Sequence, residues 1–535
     1  MPYSWATRTF QKNLAPRSLG RPGRLAGVSG ALVLSLLACG AHAADWKITP
    51  RLGVRETYTD NVSLATAGNE KSEFITQINP GISLSGKGGR VSAQVDYTLQ
   101  NLIYARDSKN NTANHQLAAN GNAELVEQSL FVDARASIRQ QNISLLAPLG
   151  VENTSTTGNL ATVTTYSVSP YWRQTFGTTA STELRYGHDE VHFDNGGLSD
   201  SSTNRVNFSL NSGPAFANAF WGLSHADSRI DYQGRPDYDS RVTSGNLGYR
   251  LTPKFKVFGK GGYEKFGYQA SNQPGSDFWN VGFGWAPTTR TNLEATYGER
   301  FFGKTYSLDF SHRTRMTAWN AGYSQTVMTT AQQLAGLGAI TTAEFLCFNG
   351  GQYFPGGLIT LFPDPTKCLQ VAQLFVNAMG WPNLVPDAQS LFTNRVFLDK
   401  RFLASVSIIS GKSVVALSAF NTLRESLESG TISSSLLGSG DFLAGDKIRQ
   451  YGATAAWGWK MLPHTSSNLS GSWSRVLQPV SGREDDLWNV RLSLVRQFQP
   501  KAHGSLEYRH QRRNSNQAAG DYKENAVTAA VNMTF

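Results

Sequence analysis

The chain has 535 residues, 40% of them hydrophobic, 11% aromatic and 16% charged, with 51 glycines. That is too apolar for a disordered chain, and it lacks the Leu- and Ala-rich composition of a helical one. The formal charge is +10, but five of the 49 basic residues and no acidic one fall in the first 43, which leaves 44 basic against 39 acidic residues. So small a surplus over so long a chain is no phosphate-tracking surface, and nucleic acid is excluded as a partner.

Residues 1–43 read as an export signal. Arg8, Lys12, Arg17, Arg21 and Arg24 precede a short apolar run at 31–38 and then Ala41-His42-Ala43, the small-x-small pattern of a signal-peptidase site. Leu36-Leu37-Ala38-Cys39 offers a competing reading, a lipobox with Cys39 as a lipidated N-terminus. No later apolar run approaches the roughly 18 residues of a membrane helix. The mature chain is therefore either secreted and soluble or crosses a membrane as a barrel.

Alternation is the first sign of strands. Val91, Ala93, Val95, Tyr97 and Leu99 alternate with Ser92, Gln94, Asp96, Thr98 and Gln100. Val132, Ala134, Ala136 and Ile138 alternate with Asp133, Arg135, Ser137 and Arg139, and Trp279, Val281, Phe283 and Trp285 with Asn280, Gly282 and Gly284. Period two predicts antiparallel strands with one oily and one wet face, in a barrel or in a soluble sandwich or propeller. The connections separate these. From Trp46 on, segments of about 9 to 14 residues suit tilted membrane strands. Short turns at 86–89, 126–129, 176–179, 215–218, 251–254, 409–412 and 498–501 alternate with longer polar loops such as 60–73, 145–159, 193–203 and 423–447. That segregation is the layout of an outer-membrane barrel with both ends in the periplasm.

The C-terminus adds Val527, Ala529, Val531, Met533 and the final Phe535 on one face. A last strand ending in an aromatic resembles the signal read by the barrel-assembly machinery of Gram-negative outer membranes. The expected fold is thus all-β, a transmembrane antiparallel β-barrel of about 22 strands. Strands 1–15 would occupy 44–326 and strands 16–22 would occupy 393–535; 20 strands are the alternative, because the 301–304 turn is short for an outer loop.

The opening strand, Trp46-Lys47-Ile48-Thr49-Pro50-Arg51-Leu52 through Thr57-Tyr58-Thr59-Asp60-Asn61-Val62, and the segment Thr393-Asn394-Arg395-Val396-Phe397-Leu398 resemble the PEP-CTERM-system-associated outer-membrane proteins. Genes of that family tend to accompany exosortase and exopolysaccharide loci. The resemblance implies an outer-membrane location and a setting of envelope polysaccharide export, with polysaccharide or its export proteins as partners beside membrane lipid and the assembly machinery. It implies no activity, cofactor or catalytic residue.

Between 327 and 392 the alternation stops. Asp364-Pro365 gives an N-cap followed by proline at the first helical position, and 368–379 runs helically to Gly380. This mixed helix and loop insert enters from the extracellular side and carries Cys347 and Cys368, the only cysteines after the signal. In an oxidising compartment the pair is expected to close, for roughly 3 kcal/mol in the chain-entropy model. Metal binding by the pair and two free thiols are the alternatives. Twenty-two strands tilted about 40° enclose a backbone diameter of about 44 Å, too wide to stay unobstructed. The insert is expected to be the segment that folds inward to narrow the lumen, with a flat surface cap as the alternative.

The polar phase of the strands holds Arg51, Arg55, Arg135, Arg139, Arg185, Lys256, Lys260, Arg491 and Arg509 as expected lumen-lining cations. They either pair across strands to satisfy a polar wall or favour anionic solutes, acidic sugars included. No Gly-x-Ser-x-Gly, His-Glu-x-x-His, phosphate loop or haem motif is present, and His188 and His192 lie too far apart along one strand to share a metal. No enzyme activity, metal or cofactor is expected. Three functions stay open: a porin-like channel tied to polymer export, a non-conducting scaffold for a periplasmic or surface partner, and a barrel enzyme.

Overall fold

The computed structural model describes residues 45–194, 198–267, 275–337, 347, 392–428, 446–517 and 520–535. Eleven strands make the first half of the barrel: β1 (Asp45–Thr59), β2 (Glu73–Lys87), β3 (Val91–Tyr104), β4 (Thr112–Val126), β5 (Leu130–Asn142), β6 (Leu160–Phe176), β7 (Ala180–Phe193), β8 (Ser201–Ser212), β9 (Ala219–Tyr232), β10 (Tyr238–Thr252) and β11 (Phe255–Gly267). The second half has β12 (Ser276–Thr288), β13 (Thr291–Arg300), β14 (Gly303–Arg313), β15 (Thr317–Met328), β16 (Phe397–Ile409), β17 (Ser413–Ser426), β18 (Lys447–Leu462), β19 (Thr465–Gln478), β20 (Arg483–Gln499), β21 (Ala502–Ser515) and β22 (Tyr522–Thr534). One short helix, α1 (Thr330–Leu337), follows β15.

All 22 strands belong to one antiparallel sheet. β1 pairs with β22 from Arg51 opposite Thr534 to Thr59 opposite Ala526, so the sheet closes and neither edge is left bare. The 20-strand alternative falls: β13 and β14 pair fully, from Thr291 opposite His312 to Arg300 opposite Gly303, across a turn of only Phe301 and Phe302. The interval between barrel halves is also narrower at its start than the alternation suggested, since β15 runs to Met328, while β16 begins only at Phe397. β16 then pairs with β15 along its length, so the whole insert leaves and re-enters the ring at one place.

The pleat sends alternate residues to the two faces. Outside, Ile48, Leu247, Val281, Leu492, Leu506 and Val531 are exposed. Their in-between neighbours, such as Thr57, Arg491, Ser493 and Arg509, are buried inside. Exposed aromatics gather near both strand ends: Trp172, Tyr249, Trp285, Trp319 and Trp459 toward the short turns, and Tyr58, Phe74, Tyr263, Trp279 and Tyr306 toward the long loops. An apolar outer band between two aromatic girdles is a lipid-facing surface. The protein is a transmembrane β-barrel of the outer-membrane type.

Candidate functional site: a loop locked across the lumen

The β5–β6 connection, residues 143–159, turns into the barrel instead of outward. Its base is stapled by Asn159, whose Nδ2 donates to the carbonyls of Ser144 at 2.9 Å and Pro148 at 3.1 Å, while its Oδ1 accepts from the Ser144 amide at 2.9 Å. Leu145 and Leu146 then bury against inward-facing Phe397, Ile448 and Val476 on β16, β18 and β19, far around the ring. Arg513 on β21 donates to the carbonyls of Leu146 at 3.0 Å and Ala147 while holding Asp485 at 2.7 Å. Farther along, the Tyr522 hydroxyl donates to the Leu149 carbonyl at 3.0 Å, and the Tyr104 hydroxyl donates to that of Thr154 at 2.9 Å. The chain is therefore fastened to walls on several sides.

Glu152 is the charged centre of this loop. Its carboxylate lies 3.3 Å from Arg55, 3.4 Å from Arg491 and 3.2 Å from Arg509, on β1, β20 and β21. Arg491 also meets Glu507 at 3.3 Å, and Arg509 meets Glu524 at 3.1 Å. Glu524 in turn accepts from Thr59 at 2.7 Å and from Gln511 at 2.6 Å. Three guanidinium groups thus face three carboxyl groups, and Glu152 is the one acid that contacts all three arginines. Burial by itself pushes the Glu152 carboxyl up, but Arg509, Arg55 and Arg491 outweigh it and hold the group at about 2.

A second segment enters from the opposite wall. Thr329 caps α1, accepting from the Gln332 amide at 3.2 Å while Gln332 Oε1 accepts from the Thr329 amide at 3.0 Å, a reciprocal capping box. Thr330 ties the helix to the returning chain by donating to the Thr393 carbonyl at 2.6 Å. The helix buries Leu334 against Ile143, Val163 and Val191, which belong to the base of the β5–β6 loop, β6 and β7. The root of the insert, Thr329 to Leu337, therefore reaches across the ring to β6 and β7. The 143–159 loop, expected as an ordinary outer loop, instead enters the lumen, so the insert is not alone in turning inward. The remainder of the insert, including the helix expected at 368–379 and Cys368, lies outside the described residues; so does the expected signal, 1–43. Cys347 is buried and disulfide-bonded.

All nine cations of the polar phase face the lumen. Arg55, Arg491 and Arg509 converge on Glu152. Arg51 pairs with Asp96 at 3.2 Å, Arg185 with Asp133 at 2.6 Å and Glu183 at 3.1 Å, and Lys256 with Glu294 at 2.6 Å. Arg139 is buried on β5. Arg135 and Lys260 make no ion pair among the described residues. Phe535 sits at the short-turn rim, its amide donating to the Pro50 carbonyl at 3.0 Å and its side chain exposed. His188 and His192 point outward with Glu190 between them, at 3.4 and 3.3 Å. Among the described residues no group of His, Cys, Asp or Glu is arranged to hold a metal ion.

Glu152, Arg513 and Asp485 were missed by the sequence reading. The available signal was composition: Leu145, Leu146, Leu149 and Val151 are an odd set for a loop that should stand in water.

No protein-family model matches the chain. No curated protein matches it either. Among solved structures it is similar to the siderophore receptor PirA of Acinetobacter baumannii, at 9% identity over 91% of this chain and 80% of that one, with a TM-score of 0.46. It is also similar to OpdK of Pseudomonas aeruginosa, solved with vanillate, at 9% identity over 91% and 99% of the two chains with a TM-score of 0.35. The FrpB iron transporter of Neisseria meningitidis shares 10% identity over 94% and 84%, with a TM-score of 0.39. Similarity this distant conveys no substrate, and the membrane assignment rests on the barrel's own surface.

Proposed function

We propose that the protein is an outer-membrane channel whose outer half is narrowed by the 143–159 loop and the root of the insert, and that it passes anionic solutes in the setting of envelope polysaccharide export. The observation that carries this reading is Glu152, held by three arginines of β1, β20 and β21 on a wall to which its own loop must reach across the lumen, because a loop locked across a lumen is a constriction. Lumenal Arg135 and Lys260, with no ion pair among the described residues, favour anions over cations. The family resemblance of the opening strand supports the polymer setting. Conductance of the purified protein in planar bilayers, with reversal potentials under a salt gradient, tests it: discrete openings with anion preference are expected.

A second reading is a non-conducting scaffold for a periplasmic or surface partner. The mutual packing of Leu334, Ile143 and Phe392 in the lumen supports it, since an apolar seal between the two inward segments obstructs flow. The same bilayer experiment separates the two, because a scaffold gives no openings.

A further inference from the structure

On the lumenal wall of β9 to β12, near the short-turn end, three rows of side chains follow one another along the strands. The middle row is Phe220, Gly248, Phe258 and Gly282, each directly opposite the next. A Cβ on Gly248 would collide with the tip of the Phe220 ring, and one on Gly282 would stand 2.8 Å from Phe258 Cζ. The two rings therefore reach sideways over glycine and lie along the wall instead of standing into the lumen. Two strand spacings, about 10 Å, separate them. One step toward the outer end the row is Asn246, Lys260 and Asn280, again in direct register. One step toward the short turns come Arg250 and Lys256, also opposite one another. Arg250 Cζ lies 5.1 Å from the centre of the Phe220 ring and Lys256 Nζ lies 5.3 Å from that of Phe258. Both rings are half-buried.

We propose that this patch is a subsite for an anionic glycan chain. The inference rests on the channel reading and names the solute class it carries. Pyranose rings present a flat C–H face that packs on an aromatic ring, their hydroxyls suit amides such as Asn246 and Asn280, and a ring carboxylate lies within a few ångströms of the sugar's centre. Each phenylalanine here has a cation at about that offset. Arg250, Lys256 and Lys260 outnumber Glu294, the one carboxylate among the described residues in ion-pair contact with them, so the patch complements a polyanion. Wall-hugging rings also leave the bore open, as a sliding chain requires and a plugged barrel would not.

The test uses the full-length protein in planar bilayers, with short oligogalacturonates as probe and malto-oligosaccharides of equal length as neutral control. Oligogalacturonates should produce transient blocks, and the Phe220→Ala, Phe258→Ala double variant should weaken them about tenfold with the open conductance unchanged. Phe258→Tyr, which keeps a ring, should retain them. Lys260→Gln should weaken block by the acidic oligomer and leave the neutral control unaffected. Equal block by both sugars, or block indifferent to removal of the rings, overturns the subsite. Calorimetric binding of oligogalacturonate to the detergent-solubilised protein reports on the patch even if the barrel does not conduct. Binding without conductance would sink the channel alone, and conductance without binding the subsite alone.

Discussion

Glu152 and Arg509, separated by most of the chain, meet at 3.2 Å inside the barrel, and both are almost wholly buried. Their contact exists only because the last strands close against the first. It converts a surface loop into a bar across the lumen. A buried charge pair of this kind adds little to stability over an apolar substitute, but removing one partner strands the other.

Glu152→Gln should therefore leave Arg55, Arg491 and Arg509 short of a counter-charge and cost about 3 to 5 kcal/mol of loop anchoring. The barrel ladder, which takes no hydrogen bond from residue 152, should still form. Limited proteolysis should cut the variant within 143–159 under conditions that spare the parent. Equal resistance would show that Leu145, Leu146 and Arg513 hold the loop unaided.

Acid should have a related effect. With the carboxyl held at about 2 in the folded protein against an ordinary 4.5, ionised Glu152 contributes its full stabilisation above pH 4.5 and loses it as pH falls through 2. Conductance should thus be steady from neutral pH to about 4.5 and rise between there and 2. The Gln variant should lack that step. An identical acid response in both proteins would assign it to other groups.

Deleting 331–390 and joining the flanks with a Gly/Ser linker should leave the β15–β16 pairing intact, because that ladder ends at Met328 and Phe397. Loss of Leu334 uncovers Ile143 and Val163, so single-channel conductance should increase. Because 143–159 still crosses the lumen, the increase should be partial, and adding Glu152→Gln should enlarge it. A deletion variant that folds and conducts like the parent would remove the insert from the constriction.

Phe535 is exposed at the rim while its backbone finishes the barrel seam at Pro50. If its side chain serves as the assembly signal, Phe535→Ala should lower the amount of heat-modifiable barrel in the outer membrane, and Phe535→Trp should restore it. Normal levels of the alanine variant would make Phe535 an ordinary girdle aromatic.

What the sequence determined by itself was everything that depends on period two. Alternation along 91–100 or 527–535 assigns each residue to a face whatever the rest of the chain does, because the pleat is local. Hence the strands, the closed topology implied by short and long connections, and the inward phase of Arg55, Arg491 and Arg509 were all legible. Where the connections go, by contrast, depends on the walls brought together when the ring closes. Nothing near Glu152 in the chain indicates that three arginines await it: Arg491 and Arg509 face one another in the β20–β21 hairpin, and Arg55 of β1 joins them only when the ring closes. Leu145 and Leu146 likewise find Phe397 and Ile448 across a curvature that no local pattern encodes. A strand's faces are set by its own residues, but a loop's destination is set by the walls that happen to surround it.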